Sequence, residues 1–168
     1  MDDAVRRRDA DAFRKLFSAR GQMRINGLDL QSDASQWSSD SVSAIGPWTE
    51  LERMLPLGCW RSDTRLSIPY VTKYVKQGIL AEPAVITVRG TSVSEAPDAS
   101  SREVERVARG AFLQMENPYA ASGWIRVSLA DGRSGFVPSA DVRSPGAAVL
   151  KLLDEGGRWR IVWFGGYD

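Results

Sequence analysis

Histidine is absent from this chain, and that absence removes much of the chemistry its side chains could do. A Ser-His-Asp triad and a Cys-His pair are excluded, as are histidine-ligated zinc and non-haem iron. Acid–base work falls to Asp, Glu, Lys or Tyr. The carboxylates in polar or turn-like surroundings are Asp29, Asp33, Asp40, Glu50, Glu52, Asp63, Glu95, Asp98 and Asp154. A glycosidase needs two acids facing each other across a cleft. No spacing here indicates such a pair, and Glu50 and Glu52 point to different faces of their predicted helix. Cys59 is the only cysteine, so neither an internal disulfide nor a cysteine-based metal site can form. Its apolar setting, LPLGCW, predicts a buried, inert thiol. The serine-rich QSDASQWSSDSVS holds no Ser-x-x-Lys arrangement. DEGG and GGYD precede no helix, as a phosphate cradle requires. The expectation is a protein without cofactor, metal or catalytic residue.

Recognition has better candidates. Asn117, Pro118 and Tyr119 lie in a loop between two predicted strands, where rigid scaffolds commonly carry their binding residues. Asn117 and Tyr119, together with Glu95 and Pro97 of an earlier loop and Trp124, Arg126 and Phe136 of two strands, form the candidate ligand-binding set. Such residues can make a shallow wall for an extended peptide. Trp124 and Phe136 also have a structural reading, because large aromatics dominate small cores. On that reading both seal the interior. Trp48, Trp60 and Tyr70 are expected to pack inside the first half or where the halves meet.

The elements that must position these residues differ between the two halves. In the first, residues 2–19 read as one amphipathic helix, with Val5, Phe13, Leu16 and Phe17 near helical spacing. Arg6, Arg7 and Arg8 read as its solvated face. Met23, Ile25, Leu28 and Leu30 flank Asn26-Gly27, which is either a hairpin turn or a bulge. Residues 32–46 read as a loop around Trp37. GPWTELERMLPLG reads as a short helix, with Pro47 in its first turn and Gly58 past its end. Residues 78–83 mark the expected boundary.

The second half reads as short strands. AVITVRG, REVERVARG, AFLQMEN, GWIRVSL and RSGFVP alternate or end at turn residues, and Asp131-Gly132 is a hairpin signal. Trp124, Arg126 and Ser128 share one face of their strand; Ile125, Val127 and Leu129 share the other. ADV reads as a single 3₁₀ turn. The tail reads as a hairpin with arms 148–153 and 158–164.

Composition narrows the partners. The 22 basic and 21 acidic residues nearly cancel, giving no electrostatic reason to expect nucleic acid or an anionic membrane. Six tryptophans are many for 168 residues, so some are expected at a contact surface. No apolar run approaches the ~20 residues of a membrane span. The charged start MDDAVRRRDADAF has no signal-peptide core, so an envelope location requires a leader already removed, and a cytoplasmic one stays open.

Residues 85–143 resemble a bacterial SH3-like (SH3b) domain. Residues 91–97, TSVSEAP, stand at its Val-x-Val-Arg-x-x-Pro segment, and Gly110 ends the following strand. Trp124-Ile125-Arg126-Val127 stands at Trp-x-x-Val. Residues 131–137, DGRSGFV, stand at Asp-Gly-x-x-Gly-Trp-Val. Ser94 replaces the usual arginine, which weakens the case for a loop arginine acting here. Phe136 replaces the usual tryptophan, keeping the ring but losing an indole donor. The tail, GPWTELERMLPLG and IPYV are similar to uncharacterised proteobacterial proteins that carry an SH3-like domain behind a small α+β region. The resemblance implies an α+β protein: a small α+β domain over 1–82, then an SH3-like β-barrel with a C-terminal hairpin over 83–168. It implies a non-catalytic binding module of the periplasm or cell envelope, its partner a peptidoglycan stem peptide or a protein segment.

Two other readings stand beside it. DAFRKLF followed by strands is similar to cone-shaped α+β folds that enclose a pocket, which implies a small-molecule binder or carboxylate-based enzyme within 1–82. A third reading is assembly by self-association; the oligomeric state is left open.

Overall fold

The computed structural model describes residues 1–25, 27–30, 33–76, 84–116 and 123–166, with 75 and 76 described by backbone alone. The chain is α+β and divides into two compact units. One is built from Met1–Lys73 with Gly146–Asp168, the other from Tyr74–Pro145.

The chain begins with α1 (Asp2–Arg6) and α2 (Ala10–Arg14), not with the single helix expected over 2–19. Arg8 takes a positive φ of 52°, and the Asp9 carboxylate accepts a 2.8 Å hydrogen bond from the Ala12 amide. That side chain caps a new helix and so breaks the old one. The break lets Phe17 open β1 (Phe17–Ile25), which turns through Gly27 into β2 (Leu28–Leu30). Ile25 pairs with Leu28, so β1 and β2 form a hairpin.

The serine-rich stretch is not a plain loop. After a 3₁₀ turn (Ala34–Gln36) and a buried Trp37, the Ser38 hydroxyl accepts from the Ser41 amide at 3.0 Å and caps α3 (Ser39–Ile45). Gly46, at φ 62°, ends that helix in the left-handed conformation that glycine adopts freely. Then come α4 (Trp48–Met54), a 3₁₀ turn (Leu55–Leu57), β3 (Trp60–Ser62), β4 (Arg65–Ile68) and α5 (Thr72–Lys76). The second unit contributes β5 (Ala84–Thr87), β6 (Thr91–Ser94), β7 (Glu103–Val107), β8 (Phe112–Met115), β9 (Trp124–Ser128), β10 (Ser134–Pro138), a 3₁₀ turn (Ser139–Asp141) and β11 (Val142–Arg143). The chain then returns to the first unit for β12 (Val149–Asp154) and β13 (Trp159–Gly165).

The first unit is one six-stranded sheet in the order β2-β1-β13-β12-β4-β3, with β1 parallel to β13 and the other pairs antiparallel. Its core centres on Phe13, fully buried, whose ring meets Phe17, Trp48 and Phe164 edge-on at 5.4, 5.7 and 6.1 Å. The terminal hairpin forms as expected but lies inside this sheet, whereas the sequence reading placed it with the barrel. Leu150, Leu152 and Ile161 join the Phe13 core. A hairpin pattern is local; which sheet it completes depends on the apolar face it can cover.

The second unit is a seven-stranded antiparallel sheet, β11-β5-β8-β9-β10-β6-β7. Only residues 88–90 separate β5 from β6, yet the two strands are four places apart. A flat sheet would put them ~19 Å apart, while the link from Thr87 to Thr91 spans at most ~14 Å. The sheet is therefore strongly curled. Its inner side is filled by Val85, Val93, Val107, Leu113, Val127, Leu129, Val137 and Val142, all aliphatic. Thr87 staples the β7–β8 turn, donating to the Ala108 carbonyl at 2.7 Å and accepting from the Ala111 amide at 2.9 Å. Asp141 ties the 3₁₀ turn to β6 and its approach. Its carboxylate accepts from Thr91 Oγ1 at 2.7 Å and from Arg89 Nε at 2.5 Å.

Candidate functional site

The antiparallel register of β9 and β10 decides which side chains meet. Trp124 lies opposite Pro138, Arg126 opposite Phe136, and Ser128 opposite Ser134. Phe136 also lies opposite Ser94 of β6. Directly opposed residues share a face, and the intervening Gly135, Val127 and Val137 are buried on the other side. Trp124, Arg126, Phe136 and Pro138 therefore form one outward patch.

This corrects the expectation that Trp124 and Phe136 seal the interior. Both are only partly buried and neither belongs to the aliphatic core. The physical reason is space. A Cβ on the inward-facing Gly135 would already stand 2.5 Å from Val93 Cγ1, so the interior has no room for a ring there.

Arg126 is held in place. Its Nε is 2.7 Å from Glu116 Oε2, and its guanidinium lies 6.0 Å from the Phe136 ring centroid. Glu116 also accepts from Ser128 Oγ at 2.6 Å and from Ser134 Oγ. Those two hydroxyls, first Ser128, and then the Arg126 charge hold the Glu116 carboxyl below its ordinary range. Arg126 is thus neutralised and orientationally fixed, and it presents its flat apolar face beside Phe136.

The β6–β7 loop begins next to Phe136. Glu95 pairs with Arg102, and the Glu95 amide donates to the Arg102 carbonyl at 3.0 Å. The Ala96 amide donates to Ser101 Oγ at 2.9 Å, and the Asp98 carboxylate accepts from the Ser100 amide at 2.8 Å. That amide bond, then the Ser100 hydroxyl, keeps Asp98 below the usual carboxylate range. Glu95, Arg102, Glu103, Arg133 and Ser134 line an open cavity of about 620 Å³. Ser134 links it to the Arg126–Phe136 patch through Glu116. Pro97 is exposed in the loop and does not line the cavity. Asn117 and Tyr119 lie outside the described residues.

The structure thus brings together Trp124, Arg126 and Phe136, with Glu95 in the adjoining cavity. Glu116, Ser134 and Pro138 were missed by sequence reasoning. Counting outward in pairs from the turn at 130–132 would have found Ser134 and Pro138. Glu116 required the β8–β9 pairing, which no local pattern specifies.

Catalytic arrangements are less well supported in the first unit. A cavity of about 510 Å³ is lined by Arg14, Lys15 and Arg160 with Glu155 as its one acid. Asp2 and Glu52 line another, of about 270 Å³. Both are exposed and paired, with Arg6 at 3.4 Å and Arg8 at 3.2 Å. Among the described residues no group of three or more acidic or cysteine side chains could hold a metal ion. Among them, too, no helix is long and apolar enough to cross a membrane. Cys59, expected to be buried, is exposed. Gly58, at φ 72°, directs the chain off the Leu55–Leu57 turn and out toward β3. No protein-family model and no curated protein matches this chain.

Proposed function

We propose that the second unit is an SH3-like β-barrel that works as a non-catalytic module, binding an extended peptide of the bacterial cell envelope: a peptidoglycan stem or a protein segment. The observation that carries this reading is the outward patch of Trp124, Arg126, Phe136 and Pro138, aligned by one hairpin register beside an internally braced loop. Aromatic and proline side chains on a rigid strand pair bind extended chains at low entropic cost. Arg126 is paired with Glu116, so the patch offers mainly apolar and backbone contacts. The curled sheet, the 3₁₀ turn before β11 and the motif resemblance over 85–143 support the barrel assignment.

Trp124 is the sole tryptophan of residues 74–145, so it reports on this site. Titration with stem peptides, muropeptides and proline-rich peptides, followed by NMR shift mapping, tests the reading. Expected are shifts clustered on Trp124, Arg126, Phe136 and residues 95–101, with Phe136→Ala weakening binding at least tenfold, as at a central aromatic anchor. No shift with any ligand class, or shifts confined to other strands, would overturn it.

A further inference from the structure

The first unit holds an apolar groove unrelated to the patch above. It has a volume of about 310 Å³ and is walled by Leu16, Leu66, Ile68, Leu152, Trp159 and Ile161. Leu66 and Ile161 each lie opposite Leu152 across the sheet, so neighbouring strands build its floor as a continuous aliphatic surface. Such a surface holds water poorly. Arg61 stands at its edge: it is opposite Leu66 in the β3–β4 register, and its guanidinium lies 5.2 Å from the Trp159 ring centroid. Stacking occupies the face of a guanidinium and leaves its in-plane N–H donors available. Among the described residues the Arg61 side chain has no hydrogen bond and no carboxylate within ion-pair distance. In the same unit Arg6, Arg7, Arg8, Arg14 and Arg24 each have one.

We propose that this groove binds a medium-chain aliphatic carboxylate, the chain lying along Leu66, Leu152 and Ile161 and the carboxylate meeting Arg61. The volume falls at the lower end of small-ligand sites. A guanidinium at the edge of an apolar wall selects an acid over a neutral or cationic amphiphile. This inference does not rest on the function proposed for the second unit, and either can fail alone.

Cys59 also lines the groove and is the chain's one thiol, which supplies a direct readout. Its rate of alkylation by iodoacetamide is measured against hexanoate, octanoate and decanoate, all below the concentrations at which they form micelles. Expected is saturable protection, tightening about fifteenfold for each two-carbon step. Decanol should protect less well than decanoate. Arg61→Gln, an exposed position, should make the two equal, and Leu66→Trp should abolish protection while circular dichroism confirms the fold. The proposal is overturned by any of three results: no saturable protection, equal binding of decanol and decanoate to the native protein, or unchanged protection in Leu66→Trp.

Discussion

Gly135→Ala adds one methyl group to the most tightly filled point of the second unit. The glycine is not in the left-handed region, so the substitution carries no backbone penalty and its whole cost is steric. The new Cβ would stand 2.5 Å from Val93 Cγ1 and 2.8 Å from the Ser94 carbonyl oxygen. Val93 is fully buried and stiff at χ1. Ser94 is backbone, and it forms the one β6–β10 register pair, with Phe136. Neither can retreat without loss. Overpacking costs typically 1–3 kcal/mol, and one immovable contact places this case near the top, at about 3 kcal/mol. For a unit of this size that lowers the thermal midpoint by about 12–24 °C. Hydrogen exchange read by mass spectrometry separates the two units. Peptides from 84–116 and 123–143 should lose protection roughly a hundredfold, and those containing β12 and β13 should not. Adding Val93→Ala removes one of the two clashes, so the double-mutant cycle should show a favourable coupling of at least about 1 kcal/mol. A Gly135→Ala protein within about 0.5 kcal/mol of the parent, or a cycle without coupling, would refute the close approach of β10 to β6.

Three further outcomes are expected. Phe13→Ala empties the centre of the first-unit core and should cost about 3–5 kcal/mol in urea unfolding; a loss below 1 kcal/mol would mean that the three edge-on ring contacts do not organise that core. Asp141→Ala leaves the buried Thr91 hydroxyl without its partner and should cost about 1–3 kcal/mol, while Asp141→Asn, which keeps an acceptor oxygen, should cost measurably less by the same urea titration. Acid should weaken the second unit: Glu103, held low first by Ser92, and Glu116, held low first by Ser128, both have folded pKa values below the ordinary glutamate value near ~4.3. Their contribution is complete above that value and is lost as pH falls through the folded values. Thermal midpoints should therefore drop below about pH 4.3, with a shallower drop in Glu116→Gln; an identical slope would show that Glu116 is not part of the linkage.

Much of the local structure was legible from residue order, because it depends on interactions only a few positions apart. The Asp131-Gly132 turn, the alternation of Trp124, Arg126 and Ser128 against Val127, the α4 helix between Pro47 and Gly58, and the terminal hairpin are all of this kind. The missed local features were caps: Asp9 and Ser38 each bind an amide three residues on, and each starts a helix where a continuous helix or a loop was expected. A cap competes with its neighbours by about a kilocalorie, too little to stand out in a periodicity reading. Partnership between distant segments was not legible at all. Strand β13 lies parallel to β1, and residues 74–145 form their own unit between two stretches of the other, because covering the Phe13 core requires Leu150, Leu152, Ile161 and Phe164. The candidate patch follows the same division. Alternation placed Trp124 and Arg126 on one side of a strand, but only the curled sheet determined that this side faces outward: its interior closes over valines and leucines around a glycine where even a methyl group would clash, and the rings of Trp124 and Phe136 are left for the surface.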